Sequence, residues 1–337
     1  MSTWPRRWRA GVLVFALACA WGAALAQSAQ GNGMDINHWL LRVHEASRYR
    51  AYTGTFVVSA GANMASARIW HVCQGDQQME RVESLSGTPR ATFRRNDHVM
   101  TFFPQARIAV AETRESLGMF PGMLKSSDTS ISAFYQLKRL GDDRIAGFDT
   151  EVVHVVPNDI ARYGYRVWSE KRTGLVMQLQ TLDLDGRVLE QSAFSELQLD
   201  APISVAKLHQ LMGNTEGYRI ERPDLQRVSA EAQGWQLSRV VAGFKPMACY
   251  KRAVVPPAGA SGRNDDTMQW VFSDGLATVS LFVEAYDGRR HAREGFTEIG
   301  GATHALTRRI DAWWATAVGE VPAATLMGFA MALERKL

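Results

Sequence analysis

Cysteine is scarce: 3 residues in 337, at positions 19, 73 and 249. The first falls in the leader described below. The other two cannot build the multi-bridge framework of a disulfide scaffold. Charge of one sign is also lacking. Lys and Arg number 38 against 34 Asp and Glu, a formal net charge of +4. No stretch concentrates that excess as a nucleic-acid-binding face would, so no nucleic-acid partner is expected. Beyond the leader, no apolar run approaches the ~20 residues that a membrane-spanning helix needs. Catalytic signatures are missing too: no Gly-rich phosphate loop, nucleophile elbow, HExxH or CxxC. The eight histidines, at 38, 44, 71, 98, 154, 209, 291 and 304, have no second ligand at metal spacing. That leaves only a metal site assembled from distant strands. No cofactor, metal or enzymatic activity is expected.

What is present begins with an address. "MSTWPRRWRAGVLVFALACAWGAALA" (1–26) has a basic start at Arg6, Arg7 and Arg9, an apolar stretch from Gly11 to Ala23, and a small-x-small end at Ala24-Leu25-Ala26. This is the pattern of a secretory signal peptide cut before Gln27. Its apolar run is short for a membrane anchor, and the residues before Cys19 lack the upstream Leu of a lipidation site. Removing the leader takes away three arginines and no acid, leaving a net charge of +1 on about 310 residues, a length that suggests two domains. An exported protein is expected.

"INHWLLRVHEASRYR" (36–50) repeats apolar residues at helical spacing behind Asp35, a suitable N-cap. The period then changes to two. "AYTGTFVVS", "ASARIWHVC", "QQMERVES", "ATFRRNDHVMTFFP" and "ARIAVAE" read as strands of an antiparallel meander with Gly- or Asn-containing turns. "SLGMFPGMLKSSDTSISAFYQLKRL" interrupts it with a broken apolar loop and a predicted helix over 130–140. The meander resumes through 148–200, with a hairpin signal at Asp185-Gly186. Residues 201–232 read as a connection holding a short helix at 204–212. Residues 233–337 read as a smaller antiparallel sheet, with turns at Ser273-Asp274-Gly275 and at Ile310-Asp311, and a C-terminal helix after Pro322. The fold class is α+β, mostly antiparallel β: a large curved sheet wrapped on helices, then a small sheet with its own helix.

Within "RIWHVCQG" (68–75), His71 and Cys73 share one face of a predicted strand. Their Cα atoms are then ~6.5–7 Å apart, loose for a nucleophile and its base. A structural role is the simpler account. Cys73 and Cys249 could instead pair with each other and tie the two domains, or remain as buried thiols.

"YTGTFVVSAGANMASARIWHVCQGDQQMERVESLSGTPRATFRRND", "GLVMQLQTLDLDGRVLEQSAFSEL", "WVFSDGLATVSLFVE" and "GATHALTRRIDAWWATAVGEVPAAT" together resemble the RseB/MucB family of periplasmic regulators of the envelope-stress sigma factor. The resemblance implies a LolA/LolB-like N-terminal domain (34–200) with an open-barrel sheet and helices in its concavity, a linker (201–232) and a small C-terminal domain (233–337). It implies a partner, the periplasmic domain of a membrane anti-sigma factor, which the protein shields from proteolysis. It also implies release by lipid or lipopolysaccharide fragments. The alternative is a periplasmic lipoprotein or lipid carrier. Phe102, Phe103, Met119, Phe120, Met123, Leu124 and Phe134 are the candidates for lining a lipid cavity. Arg308, Arg309, Trp313 and Trp314 are the candidates for a protein interface, where Arg and Trp are enriched. Arg81, Arg90, Arg94 and Arg95 are candidates for meeting acidic peptide or lipid phosphate. Cys73 and Cys249 are not part of the resemblance, and a homo-oligomer remains open.

Overall fold

The computed structural model describes residues 35–113, 120–122, 129–223, 225–252, 266–291 and 293–336. Residues 1–34, with Cys19, lie outside them. At Asp35 the carboxylate accepts from the backbone N–H of Asn37 at 3.0 Å. That cap starts helix α1 (Ile36–Tyr49), which buries Ile36, Trp39, Leu40 and Val43 as their spacing requires.

Six strands follow: β1 (Tyr52–Ala60), β2 (Asn63–Gln74), β3 (Gln77–Ser84), β4 (Ala91–Arg95), β5 (His98–Phe103) and β6 (Ile108–Thr113). A second meander comprises β7 (Tyr135–Ile145), β8 (Phe148–Pro157), β9 (Gly164–Glu170), β10 (Val176–Leu182) and β11 (Val188–Leu199). The helix predicted over 130–140 is instead a 3-10 turn, Thr129–Ala133, running into β7. A short apolar run does not fix its own period. Here Tyr135 and Leu137 alternate, and β7 pairs with β8 along its length.

The chain then forms α2 (Val205–Gly213) and β12 (Arg219–Glu221). Together the strands make one sheet in the order β12-β6-β5-β4-β3-β2-β1-β11-β10-β9-β8-β7, antiparallel except where β12 lies parallel to β6. Trp39, Leu40 and Val43 share a single core with Ile69 and Val82 from one half of the sheet and Val153 and Val167 from the other. In that order β3 and β8 are six spacings apart, ~29 Å if the sheet were flat. One helix of ~10–12 Å diameter cannot touch both. The sheet therefore curls around α1, whose side is the inner face. Helix α2 packs on the outer face: Leu208 lies on Val72 and Met79, and Met212 continues toward Phe93 and Phe102.

The second sheet contains β13 (Leu225–Arg227), β15 (Lys245–Arg252), β16 (Thr267–Ser273), β17 (Thr278–Ala285), β18 (Gly295–Gly300), β19 (Thr303–Ile310) and β20 (Trp313–Gly319). Its order is β13-β15-β16-β17-β20-β19-β18. The strand β18 was not foreseen in the sequence. A two-stranded ribbon joins β14 (Trp235–Leu237) to β21 (Leu333–Arg335). Helix α3 (Ala323–Ala332) covers one face of the seven-stranded sheet, burying Leu326, Phe329 and Ala330 against Val279, Leu281 and Ala317. The helix expected after Pro322 is thus present.

Candidate functional site: an inner-face pocket and the joint between the sheets

Strand alternation decides which side chains face inward. On the inner face, Phe56 of β1 stands opposite Ala67 of β2, which stands opposite Ser84 of β3. These positions open a pocket of ≈ 380 Å³. Its walls are apolar, from Phe56, Val58, Ala67, Val82 and Phe103, while Ser84, Ser86, Thr88, Thr92 and Arg90 supply hydroxyls and one cation. Phe56 also packs on Phe120, centroids 5.5 Å apart, and Phe120 on Phe194 at 4.9 Å. An apolar wall with hydroxyls and a cation suits an amphiphile with an acyl part and an anionic head.

The seven cavity candidates separate by face. Phe103 lines the pocket, and Phe120 packs beside it in the core. Phe102, one residue along β5, turns to the outer face with Phe93 and Tyr218. Phe134 lies under the Arg162 guanidinium at 4.5 Å, away from the pocket. Met119, Met123 and Leu124 lie outside the described residues. Among the arginine candidates, Arg90 lines the pocket, Arg94 pairs inward with Glu80 at 3.5 Å, and Arg81 bonds Glu83 on the outer face beside Trp70. The Arg95 side chain reaches His209 of α2.

Beyond Phe56 on the inner face the row becomes polar: Tyr52, His71, Glu80 and Arg94 stand side by side on β1 to β4. His71 is fully buried and stacks on Tyr52 at 4.8 Å. Its Nδ1–H donates to the Arg50 carbonyl at 2.7 Å, which leaves Nε2 to accept from the Gln78 amide at 2.8 Å. Burial holds its pKa below the ordinary value. Both ring nitrogens are occupied, so His71 has no lone pair to offer Cys73, whose thiol donates to the Gly75 carbonyl. Cys249 sits in the core of the other sheet, its pKa raised to about 11 by burial. The two thiols are free and not bridged. They belong to different sheets, which corrects the inter-domain disulfide considered above.

The sheets meet at a buried ionic joint. The β16–β17 turn carries Asp274, whose Oδ2 accepts from Arg162 Nη1 at 2.8 Å and from the Tyr135 hydroxyl at 2.9 Å. Both side chains of the ion pair are 0% exposed. Arg162 also donates to Asp159 at 2.9 Å and to the Ala242 carbonyl at 2.6 Å. Burial alone would lower the Arg162 pKa, but these carboxylates hold it above its usual value. Gly243 makes this approach feasible. It has φ +84°, and a Cβ there would stand 2.9 Å from Arg162 Nη1. Leu276 of the same turn is buried within the core of the first sheet.

Among the described residues, no three His, Cys, Asp or Glu side chains come together as a metal site. The pattern of the MucB/RseB N-terminal domain matches residues 35–212, and that of the MucB/RseB C-terminal domain matches residues 229–334. The chain belongs to the MucB/RseB family. The sigma factor AlgU regulatory protein MucB of Pseudomonas aeruginosa is 25% identical over 305 residues, covering 89% of this chain and 90% of MucB. The sigma-E factor regulatory protein RseB of Haemophilus influenzae is 25% identical over 264 residues, covering 77% and 79%. A solved structure of MucB in complex with MucA(peri) superimposes with a TM-score of 0.67 at 23% identity, covering 90% of this chain and all of that one.

In this MucB/RseB chain the four interface candidates divide between two faces. Arg308 and Trp313 lie on the α3 side. Arg308 Nη1 donates to the Ala330 carbonyl at 3.0 Å and contacts the Met331 sulfur at 3.3 Å. Trp313 meets Trp235 edge-on. Trp314 faces the other way, stacked on His291 at 4.9 Å. Arg309 lies 3.9 Å over Tyr286 on that side. The joint residues Arg162, Tyr135, Asp274 and Leu276 were missed by sequence reasoning. Only Leu276 left a signal there, an apolar residue at the tip of a hairpin.

Proposed function

We propose that this chain is an exported, non-enzymatic regulator that acts in the periplasm. It binds the periplasmic domain of a membrane-embedded anti-sigma factor, shields it from proteolysis, and lets go when lipid or lipopolysaccharide fragments occupy its inner-face pocket. The observation that carries this reading is the presence of both MucB/RseB domains, in order, over nearly the whole described chain. Support also comes from the relatives' names as sigma-factor regulatory proteins and from MucB's solved complex with MucA(peri). The pocket supports the lipid part of the reading: its apolar walls suit acyl chains, and Arg90 with neighbouring hydroxyls suits a phosphate-bearing head. No helix among the described residues is long and apolar enough to cross a membrane, and the leader carries the export pattern.

The test is a pull-down of the chain without residues 1–26 by the periplasmic domain of the anti-sigma factor from the same bacterium. Capture is expected, with loss of capture when lipopolysaccharide is added. Absence of capture in both conditions refutes the reading. Transfer of a lipoprotein by a chain truncated before residue 233 would favour a carrier instead.

A further inference from the structure

Helix α3, "AATLMGFAMA", contains no charged residue. A helix in a globular protein ordinarily turns a polar face to water. This one turns Met327 and Met331, 55% and 60% exposed. They are four residues apart and so stand on the same face. The strip 238–241 runs beside the helix. Ser238 donates to the Ala332 carbonyl at 2.8 Å, and Val241 lies 3.7 Å from where a Cβ on Gly328 would stand. Val240 of that strip is 72% exposed. Met327 and Met331 thus share the outward face, and Val240 is exposed on the strip beside it.

Cations lie at its margin. Arg308 reaches across from β19 to touch the Met331 sulfur. Arg239 adjoins Val240, is exposed, and forms no ion pair among the described residues. The nearby acid Glu334 is engaged by the Gln236 amide at 2.8 Å.

We infer that the outward face of α3, with Met327 and Met331 beside Val240 and with Arg239 and Arg308 at its margin, is a docking surface for an amphipathic segment of the anti-sigma factor's periplasmic domain, one with an apolar stripe flanked by acids. This rests on the function proposed above. A patch built to enter a bilayer would expose Trp, Phe or Leu, and none of these is exposed on α3. Paired methionines on a smooth helix face suit a peptide helix, because the flexible thioether adapts to its side chains.

The test measures affinity of the chain without residues 1–26 for that periplasmic domain by calorimetry. The Met327→Glu/Met331→Glu variant is expected to bind at least tenfold more weakly, and Arg239→Glu several-fold more weakly. Both are expected to keep the wild-type melting temperature. The milder Met327→Ala/Met331→Ala variant serves if the Glu pair misfolds, and is expected to bind three- to tenfold more weakly. Unchanged affinity in a folded variant, beside a wild type that binds, overturns the inference and leaves the proposed function standing. A wild type that does not bind overturns both. Two further outcomes overturn the inference in favour of another occupant: loss of flotation with phosphatidylglycerol vesicles while partner affinity is retained, or conversion of a wild-type dimer to monomer with partner affinity retained.

Discussion

Asp274→Ala is the perturbation that best isolates the joint between the sheets. Asp274 Oδ2 serves Arg162 and Tyr135, while Oδ1 accepts from the backbone N–H groups of Leu276 and Ala277 at 2.9 and 2.7 Å. Removing the carboxylate leaves the Arg162 guanidinium buried with one charged partner, Asp159, at 36% exposure. It also leaves the Tyr135 hydroxyl without its acceptor, and frees the turn that seats Leu276. Breaking one side of a fully buried pair costs ~3–5 kcal/mol, a melting shift of the order of 10 °C for a chain of this size. Asp274→Asn keeps the shape and part of the hydrogen bonding, and is expected to cost about 2 kcal/mol. Differential scanning calorimetry at pH 7 reads all three proteins. A double-mutant cycle with Arg162→Met is expected to show a coupling of ~1–3 kcal/mol, because the second loss removes a charge already orphaned by the first. An Asp274→Ala protein melting within 2 °C of wild type (about 1 kcal/mol or less), with additive effects in the cycle, would refute the claim that this ion pair holds the sheets together.

Other outcomes follow from the same geometry. His71 has a folded pKa below its unfolded value of 6.5, so the unfolded chain binds more protons between the two. Its contribution is fully present above pH ~7.5 and is lost as pH falls through 6.5 toward the folded value; His71→Gln should flatten that part of a stability–pH curve in urea titrations, and an unchanged slope would count against it. His44 and His154 shift in the same direction, so the comparison is with wild type. Ellman's reagent at pH 8 should label Cys73 in the native chain without residues 1–26 and reach Cys249 only in denaturant, whereas two slow thiols or none would contradict the exposures seen. Ala67→Trp fills the inner-face pocket and should weaken binding of a phosphate-bearing lipid at least tenfold in native mass spectrometry, while equal binding would move the lipid elsewhere.

Much of this architecture was legible because its signals are local. Asp35 before a helical stripe, Asn96-Asp97 between alternating runs, and Pro322 before Leu326 and Phe329 each state an element within a few residues. The exception at 130–140 is instructive. Its apolar residues satisfy a helical and a strand period equally, and only pairing with β8 decides between them. Phe102 and Phe103 make the same point about the site. Each is an apolar aromatic on β5, and the register with β4 and β6 sends one outward and one into the pocket.

By itself, the sequence determined the export-like pattern of residues 1–26, the alternation of meander and helix, the family to which the two domains belong, and the absence of a motif for catalysis or metal binding. Those properties reside in short patterns or in the whole-chain order of segments. Only the tertiary structure decided that Arg162 and Asp274, 112 positions apart, neutralise each other out of water. It likewise decided that both His71 nitrogens are taken up by Arg50 and Gln78, and that one helix face is left apolar and exposed. Each depends on which strands are neighbours and how far the sheet curls, quantities set by long-range packing that no local run of residues encodes.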